Sequence, residues 1–137
     1  MTATAWAHLP NAKHIDRILA SIATHPKKWK AAWIAAQTAG YIEAWIAAWD
    51  AARGAARGAA WTAAQTAAQT AAQTAAWSAS WTAARGAGGG AITALIAWDD
   101  CAYMLELPED ALKLLRAVDN QQALLLLGAA KVLKETS

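Results

Sequence analysis

From Trp29 onward, every fourth residue belongs to one column: Trp29, Trp33, Gln37, Tyr41, Trp45, Trp49, Arg53, Arg57, Trp61, Gln65, Gln69, Gln73, Trp77, Trp81 and Arg85. Most of these follow an Ala-Ala pair. The next column reads Lys30, Ile34, Thr38, Ile42, Ile46, Asp50, Gly54, Gly58, Thr62, Thr66, Thr70, Thr74, Ser78, Thr82 and Gly86, apolar early and small or hydroxylic later. A period of four is close to the 3.6 residues of an α-helical turn, so each repeat advances the column by about 40° around the axis. The column is a spiral that closes after about nine repeats, and a period longer than 3.6 implies right-handed winding of whatever packs on it. As one straight helix, residues 27–90 would be about 96 Å long, against a radius of gyration of about 14 Å for a compact domain of this size. The repeat must break, or it must assemble with other chains.

Composition supports the helical reading. The 137 residues include 41 alanines, nine tryptophans, two tyrosines and no phenylalanine. The β-branched apolar residues are only Val118, Val132 and eight isoleucines, so the best helix former dominates and sheet formers are scarce. The expected fold is all-α: an Ala-rich helical bundle built on the four-residue repeat, with right-handed packing and self-association into a homo-oligomer. A β-solenoid made from the tetrapeptide repeat is the alternative. One domain is expected over 1–137, with an N-terminal helix in 1–26, repeat helices in 27–90 and Leu-rich helices in 91–137.

Glycine and proline supply the expected breaks. Gly40, the Gly54 and Gly58 pair, and above all Gly86 to Gly90 interrupt the repeat, and Gly88-Gly89-Gly90 disfavours a helix. Helices are expected at about 11–24, 28–53 with a break at Gly40, 59–85, 91–106, 108–118 and 120–134. Pro26 separates the first two, because a residue preceding proline avoids the α region. Pro108 suits a helix start and Glu109 and Asp110 its positive end. Asp119 or Asn120 can cap the last helix, whose run Leu124 to Leu127 covers every face and should lie inside.

The formal charge of +2 argues for neither duplex nucleic acid nor a membrane, but its distribution is uneven. Lys13, Arg17, Lys27, Lys28 and Lys30 face one acid, Asp16; Asp99, Asp100, Glu106, Glu109 and Asp110 stand together without a base. These two groups are expected to pair or to be solvated. Cys101 is the single cysteine, so no internal disulfide is possible and the cytoplasm is the default location. No secretory signal is readable in Met1 to Pro10, and no apolar run is long enough for a transmembrane span. His8, His14 and His25 have no metal-ligand spacing, and Gly86 to Gly90 lacks the lysine of a phosphate loop. No metal, cofactor or catalytic residue is expected. Asp99, Asp100 and Cys101 point in different directions on a helix, and a buried carboxylate capping or pairing with one of the repeat arginines is the better reading of them.

The column itself has three readings. Alanine on two of every four positions lets helices approach closely, with Trp29, Trp33, Trp45 and Trp49 filling the remaining volume as core. In the second half, Thr and Gln replace Ile, and Gln65, Gln69 and Gln73 need polar partners. Alternatively, Trp49, Arg53, Arg57, Trp61, Trp77, Trp81 and Arg85 line a surface for a flat anionic ligand, aromatic faces stacking a base and guanidinium groups forking onto phosphates. Third, the ladder Thr62, Thr66, Thr70 and Thr74 looks like that of helical antifreeze proteins, but a column drifting about 40° per step presents no flat surface.

The Ala-Ala-aromatic or Ala-Ala-Arg repeat of 27–90, followed by Ala94-Leu95-Ile96-Ala97-Trp98-Asp99-Asp100-Cys101 and a Leu-rich tail, resembles alanine/tryptophan-repeat proteins of phages and bacteria labelled immunity proteins. The resemblance leaves out the chain before Pro26, and Gly86 to Gly90 interrupts the repeat within it. It implies an α-helical, non-enzymatic protein of conflict between bacteria, phages and toxins, with no functional residues to carry over. Two classes of function follow: a binding protein that neutralises a protein toxin or sequesters a small nucleotide signal, and a self-assembling scaffold without a ligand.

Overall fold

A computed structural model describes Ala7 and residues 9–36, 40–52, 66, 81–118 and 120–136, without the side chains of 36, 52 and 81–85. The described residues form six α-helices: α1 (Ala12–Thr24), α2 (Pro26–Ala36), α3 (Tyr41–Ala52), α4 (Trp81–Ala97), α5 (Glu109–Ala117) and α6 (Gln121–Thr136). A 3-10 helix, Ala102–Glu106, lies between α4 and α5, and no strand occurs among the described residues.

The core is organised around α4, which packs against α1, α2, α3 and α6. Residues 87–97 of α4 are all buried, and the sequence there is free of charge, as a helix surrounded by protein requires. Here the structure corrects the expectation of a break at Gly86 to Gly90, since α4 runs straight through the glycines. The reason is tertiary. A Cβ on Gly86 would lie 2.8 Å from two ring carbons of Trp33 on α2, and one on Gly88 would lie 2.5 Å from Ile22 Cδ1 on α1. A Cβ on Gly90 would fall on the Tyr41 hydroxyl of α3. Three glycines thus admit three neighbouring helices, and the packing outweighs an intrinsic cost of about 1 kcal/mol per glycine.

The repeat column supplies the rings that fill this space. Trp29 is fully buried and donates through Nε1 to Ser21 Oγ at 3.0 Å. Tyr41, 2% exposed, donates its hydroxyl to the Gly86 carbonyl at 3.3 Å and sits edge-on between Trp33 and Trp45. Trp45 Nε1 donates to Thr93 Oγ1 at 3.2 Å, whose own hydroxyl donates to the Gly89 carbonyl at 2.7 Å. For Trp29, Trp33 and Trp45 the core reading holds, Trp33 and Trp45 being partly buried. The neighbouring Ile column points the other way: Ile34, Ile42 and Ile46 are 61%, 54% and 56% exposed. Ring-bearing and Ile-bearing positions are adjacent in sequence, hence about 100° apart on the helix, and the rings took the inner face.

Helix ends follow local chemistry. His25 leaves the α region and α2 begins on Pro26. Pro108 holds an extended backbone ahead of α5, with Glu109 and Asp110 in its first turn and Arg116 in its last, all favourable to the helix dipole. Asn120 caps α6, its Oδ1 accepting from the Ala123 amide at 2.9 Å. The helix expected over 91–106 is instead two elements. α4 stops at Ala97, where the buried Asn11 side chain donates to the Leu95 and Trp98 carbonyls at 2.9 and 3.1 Å, and a turn leads into the 3-10 helix. Asp99 and Asp100 in that turn are exposed, which corrects the buried-carboxylate reading. The basic and acidic groups of the sequence do meet where Arg17 and Glu106 form a 2.9 Å ion pair.

Candidate functional site

The seven residues read from the sequence as a ligand surface are only partly placed. Trp49 lies near the end of α3, 37% exposed, beyond Ile42 and Ile46 on the same outward face. Arg53, Arg57, Trp61 and Trp77 lie outside the described residues. Trp81 and Arg85 belong to the first half of α4, whose backbone alone is described there. Of the helix expected over 59–85, the described residues are Thr66, which is helical, and 81–85, which belong to α4.

A different surface emerges at the C-terminal end of the chain. In α6 the residues Leu125, Leu126, Ala129, Ala130, Val132 and Leu133 are buried, which leaves Leu124, Leu127, Gly128, Lys131 and Lys134 as an outward stripe at spacings of three and four. The expectation that Leu124 to Leu127 would all lie inside is thus corrected at its two ends, which are only partly buried. α5 buries Leu112 and turns Lys113 and Arg116 toward the same stripe. On the other side α2 contributes Lys28, Ala31, Ala32 and Ala35. Gly128, with its missing Cβ 3.6 Å from Ala32 Cβ, keeps the junction between α2 and α6 low.

The result is a trough with α6 as its floor and α2 and α5 as its walls. It contains three adjoining cavities of about 190, 310 and 190 Å³, and Lys131 lines all three. Five cations, Lys28, Lys113, Arg116, Lys131 and Lys134, stand against two carboxylates, Glu109 and Glu135. The carboxylates are engaged: Glu109 is 3.7 Å from Lys113, one turn away, and Glu135 is 4.0 Å from Lys28. Arg116 and Lys131 make no ion pair among the described residues, so the trough keeps an excess of positive charge over an apolar floor. Among the described residues no aromatic side chain lines it.

Two titratable groups with shifted values lie away from the trough. Cys101 is wholly buried, its thiol donates to the Ala94 carbonyl at 3.5 Å, and burial together with Asp100 and Asp99 pushes its pKa up to about 12. His14 on α1 is held below its ordinary value by partial burial and by Lys13 and Arg17. Among the described residues no group of three His, Cys, Asp or Glu side chains could hold a metal ion, and no helix is long and apolar enough to cross a membrane.

The periodic column directs a reading of the sequence away from this site. A signal is nevertheless present: Lys113 and Arg116, and again Lys131 and Lys134, are three apart and so share a helix face beside a Leu-rich run. That the two pairs meet depends on how α5 packs on α6, which no spacing reveals. In comparisons with known proteins, no family model, no curated protein and no solved structure matches this chain.

Proposed function

We propose that the protein is a non-enzymatic binding protein of the immunity type, which holds an anionic partner on the trough between α2, α5 and α6. One observation carries this reading: Arg116 and Lys131, without ion pairs among the described residues, stand over an apolar floor with three adjoining cavities. Cations beside apolar surface attract an anion at long range and reward its burial at short range. Of the two partners suggested by the sequence, a protein fits the trough better than a nucleotide, because among the described residues no ring lines it to stack a base.

The test is equilibrium binding of fluorescein-labelled poly-L-glutamate to the full chain at low and high salt. Binding at low salt that weakens about tenfold in both Lys131→Glu and Arg116→Glu is expected. Binding indifferent to both substitutions would move the function elsewhere, and no binding at all would end this reading.

Self-assembly is the second reading, and the outward face of α3 favours it. Ile42, Ile46 and Trp49 lie on one stripe at 54%, 56% and 37% exposure, where a solitary helix surface would carry polar residues. Light scattering separates the cases: an oligomer that dissociates in Ile46→Asp supports a scaffold, and a monomer at micromolar concentration removes it.

A further inference from the structure

The shape of the trough narrows the partner further, on the premise that the trough is the binding surface. Its floor extends from Leu124 to Glu135, about 16 Å of helix, and it is open along its length. A small anion would need donors converging on one point. Here the cations are instead spread along the trough, with Lys113 and Arg116 on one wall, Lys28 on the other and Lys131 in the floor. Between them lie Leu127, Gly128 and the short side chains of Ala32 and Ala35, which let another backbone come close. A rod of about 10 Å diameter with one apolar stripe and acidic flanks matches this relief, which describes an α-helix.

We infer that the trough docks an acidic amphipathic helix of a partner protein as an added helix beside α6, its apolar stripe on Leu124, Leu127 and Ala35 and its carboxylates toward Arg116, Lys131 and Lys113. This is helix-in-groove recognition, in which apolar residues at i, i+3, i+4 and i+7 supply affinity and flanking charge supplies orientation. Charge complementarity selects the occupant: a basic or neutral helix would leave the excess of positive charge in the trough unanswered.

Two synthetic peptides of 16 residues test the idea. One places leucine at helical spacing with glutamate on both flanks; the other has the same composition in scrambled order. Titration of the full chain should show the amphipathic peptide binding at least about tenfold more tightly than the scrambled one. That preference should vanish in Ala35→Arg, which blocks an exposed wall, and both peptides should weaken in Lys131→Glu. Equal affinity for the two peptides would overturn the helix inference while leaving anion binding intact. Failure of both peptides and of poly-L-glutamate would remove the trough as a binding surface altogether. Sedimentation in the absence of peptide adds a further outcome: self-association lost in Lys131→Glu would assign the trough to a second copy and overturn the proposal.

Discussion

Gly86, Gly88 and Gly90 occupy one stretch of helix, yet an added methyl group meets a different obstacle at each. At Gly88 it meets only the terminal Cδ1 of the buried Ile22, which a turn about one side-chain bond withdraws, and the gain in helix propensity of about 1 kcal/mol offsets the crowding. Gly88→Ala is therefore expected to be close to neutral in urea unfolding. At Gly90 the methyl group meets the ring and hydroxyl of Tyr41, which is 2% exposed and cannot swing away. Gly90→Ala should cost about 1–3 kcal/mol, with Gly86→Ala in between because Trp33 is only partly buried. A stabilised Gly90→Ala would contradict the seating of Tyr41 on α4. Cys101 yields a prediction in pH. Its folded value of about 12 exceeds the ordinary 9.0, so above pH 9 the unfolded chain loses a proton that the folded chain keeps. Stability should then fall by up to about 1.4 kcal/mol per pH unit, and Cys101→Ala should flatten the slope between pH 9 and 10. Burial raises Tyr41 as well, but Tyr41 adds to the slope only above pH 10, its ordinary value.

At the level of elements, the helices stop where side chains receive their free backbone groups. Asn11 binds two carbonyls at the end of α4 from a position 4% exposed, so its loss strands buried acceptors. Asn11→Ala is expected to lower stability by about 1–3 kcal/mol. Asn11→Asp should be worse near neutral pH, since a carboxylate would face the negative end of a helix. Asn120→Ala removes an ordinary cap and should cost about 1 kcal/mol. Chemical denaturation of the three variants checks the order, and an Asn11→Ala variant as stable as the parent would show that α4 ends for another reason. Of these two asparagines, Asn120 was legible in the sequence as one of two neighbouring candidates, with Asp119, because capping is local. Asn11 was not, because its partners lie 84 and 87 residues away.

At the scale of the whole molecule, the rings of α2 and α3 take the inner face beside the glycines of α4, while Ile34, Ile42 and Ile46 of the same two helices mark the outer one. Ile46, 56% exposed, should tolerate Ile46→Asn within about 0.5 kcal/mol, whereas Ile18, fully buried between α1 and the core, should lose about 2–5 kcal/mol on truncation to alanine. Thermal unfolding of the two variants distinguishes a core made by α1 and α4 from one made by the Ile column. The same inversion explains why the candidate site is not legible in the repeat. The column is conspicuous in the sequence, and Trp29, Trp33, Tyr41 and Trp45 spend it on packing. Lys113, Arg116 and Lys131, which line the trough, lie in segments without periodic emphasis.

Sequence alone determined the helical class and the ends of helices set by near neighbours: Pro26, Pro108 and a cap at Asp119 or Asn120. Those follow from propensity, fixed proline geometry and contacts within one turn, all of which act over a few residues. Tertiary structure alone decided that Gly88-Gly89-Gly90 continue a helix, that rings rather than isoleucines face inward, and that two lysine-bearing faces converge into one trough. Each of these turns on which helices become neighbours. The intrinsic preference of a glycine or of one face over another is about 1 kcal/mol, whereas burial against three surrounding helices stabilises by more than that and depends on contacts that the local sequence does not contain.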